Sequence, residues 1–489
     1  MDRDTNPTRR EFVELAAAAG AWLAAGGLGS AAEMPPVLRA GIAKKDITPT
    51  QPVMLAGYES RKDLSQGVHD PLSARAVAFE QGGQRLVLVS TDFLGFYDGT
   101  AASMRKTILA ACGLQPSELF LAAIHTHSAP TPTLGGGDVH PNNLAWTKTL
   151  EAQLVAAVRE ALSALAPAEI AFASGSSPVG VNRREPVRHA AGKPAVKLGR
   201  NPAGPTDPEV QVLRICRPGA GDARSASPAA VVFGYATHST ALGPHNYLVS
   251  GDVHGLAEQF VERQLGGAAV AAGFAGASGD IDPWFRVLPK FNTANGWIPE
   301  PVLLGTMLGE EVAHVLEGGN KPGPQKLPSP SGRGTRERVP GGEGGPRVAQ
   351  IPPHPNPLPE GEGTSGPVRT ALKSLLLPKK EGPRGRSPEI ELGLCPEFNL
   401  TVGRLGDVAV VGLGGEVFNE IGKAIKAASP FPHTLIITHC NGTAGYLPTK
   451  QSCPDGGYGV DNSPFGPEAA QVVVQEAVRM LRDLRAAEK

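Results

Sequence analysis

The fold is decided around residues 118–130, which read ELFLAAIHTHSAP. The apolar part, which ends at Ile124, is short and continuous and predicts a buried strand. Side chains two residues apart on a strand share a face, so His125 and His127 are expected to point the same way. Two imidazoles that converge at a strand end can serve as metal ligands or as acid–base groups.

Other apolar runs in the chain end at a polar or ionisable residue in the same manner. They are residues 85–89, 230–235, 269–274, 408–413 and 434–438, and the residues that follow them include Asp92, His238, Asp280, Glu416 and His439. Such runs are typical of strands covered on both faces, and segments with a helical pattern lie between several of them, at residues 150–165, 255–264 and 416–428. The sequence therefore predicts one large α/β domain with mixed or mostly parallel sheets flanked by helices.

The strand ends are also the predicted place of the active site, because ligands of open α/β sheets bind outside the carboxyl ends of the strands. The alternative is that each end is an ordinary turn, since Asp, Asn and Gly favour turns. For any single strand end, that alternative is the better explanation. Because ionisable residues recur at several strand ends, two of which carry histidine, an active site at these ends is favoured.

Composition excludes several classes of function. The 489 residues carry 46 Lys and Arg against 47 Asp and Glu, which gives a formal net charge of −1. No global field therefore attracts nucleic acid or anionic lipid. Aromatic residues make up 5% of the chain and no basic stripe accompanies them, so no nucleic-acid partner is expected. The mature chain also contains no apolar run of the ~18 residues that a transmembrane segment needs.

The N-terminal residues 1–32 are predicted to be a twin-arginine signal peptide. Arg9 and Arg10 precede an Ala/Gly-rich stretch and then the small residues of the segment 30–32. The alternative is a tail with an accidental arginine pair. Twin-arginine export machinery carries folded proteins, so the chain is expected to take up its cofactor before export to the periplasm or the extracellular space. The five cysteines form no Cys-x-x-Cys pair, and Cys440, near the predicted site, is expected to serve packing.

Residues 319–366 are rich in Pro and Gly and have almost no large apolar side chains. Such a segment cannot bury enough surface to offset its ordering entropy, so we expect a disordered insertion without a catalytic role, His354 included. A long insertion in a surface loop costs little in closure entropy. The catalytic domain is thus predicted to be discontinuous, with its first part at residues 36–318 and its second part at residues 367–487.

Several short motifs, in this order, resemble the neutral/alkaline non-lysosomal ceramidase family. The first matching segments are AGIAKKDITP and LAGY at residues 40–49 and 55–58. The further matching segments are residues 125–130, 181–184, 236–240, 250–252, 279–283, 414–416 and 444–446. Each motif is short, but together they cover the mature chain apart from the insertion.

The resemblance implies a zinc-dependent amidase whose ligands, by matching motif, are His125, His238, Glu416 and Tyr446. Imidazole nitrogen and carboxylate oxygen suit Zn²⁺ at about 2.0–2.2 Å. For Tyr446 the alternative is a pocket-wall tyrosine that donates a hydrogen bond. For His238 it is a hydrogen-bonded core histidine, and for Glu416 an acid stabilised near a helix N-terminus.

The resemblance also implies the remaining site residues. Zinc would lower the pKa of a bound water from 15.7 to about 7 and polarise the amide carbonyl. His127 would shuttle the proton or contact the oxyanion, and Arg183 would bind the oxyanion or an anionic substrate group, unless it is a surface arginine paired with Glu185. Gly57 and Tyr458 would line the substrate mouth, although Gly57 also suits a simple turn.

The sequence departs from the family where the Gly-Asp motif continues to a serine regarded as the nucleophile. Asp282 occupies that place, which favours attack by a zinc-activated water. Asp280 and Asp282 alternate and are expected to share a face and orient ligands or water, unless they only stabilise the turn. The chain also ends without the additional β-sandwich domain of full-length ceramidases, and its apolar surface for sphingolipid is thin.

The sequence thus predicts an exported zinc-dependent amidohydrolase that acts on an N-acyl (sphingo)lipid or a related small amide. Two alternatives remain. One is a zinc hydrolase of another amide or ester class, which the same site would permit. The other is a non-catalytic binding protein that retains the fold, which the missing serine favours and the retained histidines oppose.

Overall fold

The computed structural model describes residues 36–188, 194–219, 228–285, 299–318, 366–380 and 397–487. The predicted signal peptide, residues 319–365 of the predicted insertion and Cys395 lie outside the described residues, and the predictions for them stay predictions. Contacts divide the chain into Met1–Val37 and Leu38–Lys489. All the helices and strands given below lie in the second unit.

The strands are numbered in chain order. They are β1 (Arg39–Asp46), β2 (Gly67–Val68), β3 (Ser73–Gln81), β4 (Gln84–Thr91), β5 (Leu119–Ala123), β6 (Ala166–Pro167), β7 (Glu169–Ser176), β8 (Gly180–Arg188), β9 (Pro194–Asn201), β10 (Glu209–Cys216), β11 (Ala230–Tyr235), β12 (Leu248–Val249), β13 (Val270–Ala275), β14 (Ile281–Pro283), β15 (Val368–Leu375), β16 (Phe398–Leu405), β17 (Val408–Leu413), β18 (Glu416–Val417), β19 (His433–Ile437) and β20 (Tyr446–Leu447).

The α-helices are α1 (Thr100–Cys112), α2 (Pro141–Ser163), α3 (Asp252–Gln264), α4 (Pro299–Leu316), α5 (Asn419–Ala428), α6 (Tyr458–Asp461) and α7 (Ala469–Ala486). Short 3₁₀ turns lie at Pro116–Glu118 and Lys450–Asp455. Within the described part of the chain, no helix has the length and apolar character needed to cross a bilayer.

Three larger sheets repeat one topology. Their strand orders are β5-β4-β3-β1-β6, β13-β11-β10-β7 and β15-β16-β17-β19. In each sheet one pair is parallel, β4 with β5, β11 with β13 and β17 with β19, while the other neighbours are antiparallel. Parallel neighbours need a crossover connection, and α1, α3 and α5 lie in these three connections. Of the two arrangements predicted from the sequence, the mixed one is found.

The three sheets share one core. Phe120, Val232 and Val410, one from each sheet, are fully buried members of the same apolar cluster. The outer face of each sheet is covered by helices, the first by α1 and α2, the second by α3 and α4, and the third by α5 and α7. A fully buried Leu, Val or Phe stabilises the fold by about 1.5–3 kcal/mol. Residues from both sides of the 319–365 gap contribute to the shared core, for example Phe120 and Val368.

The predicted strands match the observed ones to within a few residues, but all three predicted helices have different starts, and α3 begins three residues earlier than predicted, at Asp252. Helix α2 begins at Pro141, because His140 caps it by accepting a hydrogen bond from the amide of Asn142. Helix α5 begins three residues after Glu416, because Glu416 and Val417 form a short parallel strand with β20. The cysteines at 112, 216, 440 and 453 are free thiols, and Cys440 is buried.

Candidate metal centre

Three side chains that follow the ends of β5, β11 and β17, one strand from each larger sheet, direct donor atoms at one point. Nε2 of His125 and Nε2 of His238 each lie 3.5 Å from Oε2 of Glu416. All three residues are buried, at 1%, 0% and 6% exposure. Donors that surround a tetrahedral zinc at about 2.0–2.2 Å lie roughly 3.3–3.6 Å from one another. The spacing therefore fits a small divalent cation.

The orientation of the two imidazoles is fixed by backbone carbonyls. Nδ1 of His125 lies 2.7 Å from the carbonyl oxygen of Leu94. Nδ1 of His238 lies 2.8 Å from the carbonyl oxygen of Ser278 and 3.0 Å from that of Ile281. Carbonyls only accept, so each Nδ1 carries the proton and each Nε2 presents a lone pair to the cluster. This is the arrangement that orients metal-binding histidines.

The electrostatics of the cluster favour a cation. Burial, together with Arg183, lowers the pKa of His238 to about 4, so its ring is neutral at neutral pH. The carboxylate of Glu416 faces the acceptor nitrogens of His125 and His238. Within the described residues, Oε2 of Glu416 and Nε2 of His238 have no hydrogen-bond partner, and such orphaned atoms are costly unless a ligand satisfies them.

His127 completes the imidazole cluster. His125, His127 and His238 each offer one nitrogen within 4.8 Å of the others, and Nε2 of His127 lies 3.4 Å from Nε2 of His125. Burial lowers the pKa of His127 well below its ordinary value, so its ring is neutral, and its buried Nδ1 has no hydrogen-bond partner among the described residues. The structure places His127 beside His125 as expected, but not by strand alternation, because β5 ends at Ala123 and His125 has a φ of +61°.

Arg183 and Tyr446 form the opposite wall. A guanidinium nitrogen of Arg183 donates to the hydroxyl of Tyr446 at 3.1 Å, and Tyr446 is the parallel ladder partner of Glu416. Burial, and after it the charge of Glu416, raises the pKa of Tyr446 well above its ordinary value, so the phenol is protonated. Burial works to lower the pKa of Arg183, but Tyr446, Asp282 and Glu416 raise it above its ordinary value. Arg183 is 5% exposed, which differs from the surface arginine considered as its alternative.

The two aspartates of the Gly-Asp motif contact separate groups of residues. Asp282 accepts from Arg183 and Arg200 at 3.3 Å each. Asp280 accepts from the backbone and side-chain amides of Asn419 at 2.8 and 2.6 Å and from Asn182 at 3.1 Å. Asp280 joins the start of α5 to β8, and burial raises its pKa to about 6. The expected role of the two carboxylates in orienting ligands or water stays a prediction.

Gly57 and Tyr458 lie at the edge of the cluster. Gly57 has φ +90°, and a Cβ built there would lie 2.4 Å from Nδ1 of His127. The close approach that requires glycine is thus made by His127. Tyr458 is 50% exposed and its ring meets that of Tyr446 edge-on at 5.7 Å. Both positions are compatible with a substrate mouth, a role that stays a prediction.

Sequence reasoning missed two residues beside the donors. His439 stacks on His125, with ring centroids 3.9 Å apart and planes 14° apart. For Tyr97, burial and then the charge of Glu416 raise the pKa well above its ordinary value. The signal for His439 was present, because it follows β19 as His125 follows β5. Tyr97 lies in a loop that carries no local pattern.

Comparisons with known proteins identify the family of this chain. The family model for the N-terminal part of neutral/alkaline non-lysosomal ceramidases matches residues 38–286. The neutral ceramidase of Mycobacterium tuberculosis (strain ATCC 25618 / H37Rv) is 27% identical over 232 residues, which are 45% of this chain and 34% of that protein. Neutral ceramidase B of Dictyostelium discoideum is 26% identical over 246 residues, 47% of this chain and 33% of that protein. The aligned part thus spans about a third of the length of these relatives.

Solved structures share the fold. A crystal structure of neutral ceramidase from Pseudomonas aeruginosa has a TM-score of 0.65 at 20% identity, covering 93% of this chain and 75% of that chain. A ceramidase complexed with C2 has a TM-score of 0.64 at 18% identity, covering 92% and 76%. At such identity the likeness concerns the fold, and it confirms the predicted fold class.

Proposed function

The chain belongs to the neutral/alkaline non-lysosomal ceramidase family, and from that premise we propose that it is a zinc-dependent amidohydrolase. The proposed reaction is hydrolysis of the amide bond of an N-acyl lipid or a related amide. The observation that carries the proposal is the convergence of His125, His238 and Glu416 at 3.5 Å, with orphaned buried atoms that face one another.

These three residues would hold the metal, and Tyr446 lies against Glu416 where a fourth donor would be needed. Their donor set of two imidazoles and one carboxylate suits zinc. When bound, zinc would lower the pKa of water and polarise the amide carbonyl. The inner hydrogen bonds of the site, from the imidazoles to Leu94 and Ser278, would keep the donors in place.

The surrounding residues supply the proton transfer and the oxyanion contact. His127 is adjacent to His125 and its Nδ1 has no partner among the described residues, so its position suits it to accept a proton from the attacking water and return it to the leaving amine. The Arg183 guanidinium carries a permanent charge, which suits stabilisation of a developing oxyanion. Asp282 is held by Arg183 and Arg200, which supports a role in fixing Arg183 rather than in attacking the substrate.

An acyl chain is the proposed apolar part of the substrate. Arg200, which contacts Asp282, also donates to the carbonyl of Trp284. Trp284, Phe285 and Tyr458 are large apolar side chains that are 36%, 55% and 50% exposed. Aromatic surface beside a polar catalytic cluster suits a ligand with an apolar tail and a polar amide.

Export of the folded, metal-loaded protein is a further part of the proposal. It rests on Arg9 and Arg10 and the Ala/Gly-rich stretch that follows them. Fractionation of cells that produce the full chain, compared with an Arg9→Lys, Arg10→Lys variant, tests it. Retention of the variant and export of the wild type are expected, and equal export of both contradicts the twin-arginine route.

The test of the function combines metal content with turnover. Purified protein is expected to contain about one zinc per chain and to hydrolyse members of a panel of N-acyl amides. Chelator should abolish turnover, and His238→Ala should lose both zinc and activity. His314→Ala serves as the control, because that ring is 55% exposed and lies on α4. Amide turnover that chelation leaves unchanged contradicts the proposal, and bound zinc without turnover on any amide or ester indicates a binding protein.

A further inference from the structure

His439 occupies an unusual position for a residue that the mechanism does not use. It is 1% exposed and its ring lies flat against that of His125, 3.9 Å from centroid to centroid and 14° from parallel. Nδ1 of His439 is buried and has no hydrogen-bond partner among the described residues. Burying a polar ring without a hydrogen-bond partner costs free energy, so we expect a functional reason for the position of His439 beside a metal donor.

The backbone presents His439 in the same way as His125. Each is the second residue after its strand, β19 or β5, and each has a positive φ, +51° for His439 and +61° for His125. The two strand ends are joined directly, since Ala122 and Cys440 form an isolated bridge. Asn441 adds further links, because its amide donates to the carbonyl of Leu121 at 2.7 Å. The stacked pair is thus held by the backbone on both sides.

The stacking excludes His439 as a ligand of the same ion. An imidazole nitrogen presents its lone pair in the plane of its ring. Because the two ring planes are nearly parallel and the ring centroids are 3.9 Å apart, the in-plane lone pairs of His125 and His439 cannot both point at one metal ion. His127 and His238 contact His125 with interplanar angles of 88° and 77°. Among the described ring contacts of His125, only that with His439 is flat.

We propose that His439 is a positioning residue that fixes the ring plane of His125 so that Nε2 points at the metal. The inference rests on the proposed metal function. The hydrogen bond from Nδ1 of His125 to Leu94 fixes one point of the ring, but it leaves rotation about that bond free. The flat contact with His439 removes that rotation. Outer residues of this kind typically change metal affinity by 10–100-fold.

Two variants separate the flat ring from the polar side chain. His439→Phe keeps an aromatic plane and removes both nitrogens. His439→Asn keeps a polar group, and asparagine tolerates positive φ, but it provides no plane. Zinc affinity is measured by competition with a chelator on the full chain, and Co²⁺ absorption reports the coordination geometry. Urea unfolding of the metal-free proteins checks the fold, and His439→Gly, which suits φ +51°, replaces the asparagine variant if that one does not fold.

His439→Phe is expected to bind zinc within about threefold of the wild type and to keep the Co²⁺ spectrum, whereas His439→Asn should lose about 10–100-fold in affinity and change the spectrum. Wild-type affinity in the asparagine variant, or an equal loss in both variants, overturns the positioning role while the metal site stands. A wild type that takes up no more zinc than His125→Ala overturns the proposed metal function, and the role of His439 with it.

Discussion

Glu416→Gln is expected to raise the free energy of unfolding of the metal-free protein and to abolish its stabilisation by zinc. Glu416 is 6% exposed, and Oε2 has no donor within the described residues. It faces nitrogens of His125 and His238 at 3.5 Å, both of which present lone pairs. A glutamine amide would supply donors to these nitrogens. Satisfying a buried acceptor recovers about 1–3 kcal/mol, which is the expected gain.

The variant also removes the attraction between Glu416 and Arg183, but this loss is limited because Asp282 still accepts from Arg183 at 3.3 Å. With zinc present, the wild type should instead be more stable than the variant. Free zinc at 1,000 times Kd should stabilise the wild type by about 4 kcal/mol. In Glu416→Gln the anionic donor is gone, and the zinc-dependent gain should fall below about 1 kcal/mol.

Urea unfolding at neutral pH, with chelator or with zinc, measures both effects. Glu420→Gln is the matched control, because this exposed residue lies four positions away in the first turn of α5. It should change neither the metal-free stability nor the zinc response. A metal-free Glu416→Gln protein less stable than the wild type by more than about 1 kcal/mol, or one that zinc stabilises as much as the wild type, refutes the reasoning.

Three other predictions concern the surroundings of the donors. Gly57→Ala should lower the free energy of unfolding by about 1–3 kcal/mol, measured by urea titration, because of φ +90° and the clash with His127; amide turnover should fall about a hundredfold as that ring moves. Arg183→Lys should reduce kcat by about 10²–10³-fold with a smaller change in KM, since lysine lacks the planar fork that reaches Asp282 and the oxyanion together; unchanged kcat contradicts this role. Burial lowers the pKa of His254 to about 4 in the folded protein, so its contribution to stability is complete above pH 6.5 and is lost as the pH falls towards 4. Between pH 7 and 5, with both proteins kept metal-free by chelator, the free energy of unfolding of His254→Gln should fall by about 2 kcal/mol less than that of the wild type.

The sequence predicted the parts of the fold that have a local signal. The apolar runs before His125, His238 and Glu416 became β5, β11 and β17, because continuous burial on both faces leaves a clear pattern. Strand pairing has no such local signal. The antiparallel strands β1, β7 and β10 were not identified, and only the pairing shows that each parallel pair lies at the edge of a mixed sheet.

The metal donors could be predicted from the order of the motifs, but the groups that hydrogen-bond to them could not. Residues 125, 238 and 416 were named before the geometry, whereas the carbonyls of Leu94 and Ser278 that orient them act through the backbone and leave no trace in residue type. The separate partners of Asp280 and Asp282 depend on where Asn419 and Arg200 lie, and both come from distant segments.

Because the three donors follow strands of three different sheets, metal binding has a consequence for assembly. A chain interrupted between residues 318 and 366 would give one piece with His125 and His238 and another with Glu416, and neither would hold a complete ligand set. High-affinity zinc uptake would then report that the two pieces had come together. In the intact protein the ion would join segments nearly 300 residues apart, so its release would loosen the contact between the sheets as well as end the chemistry.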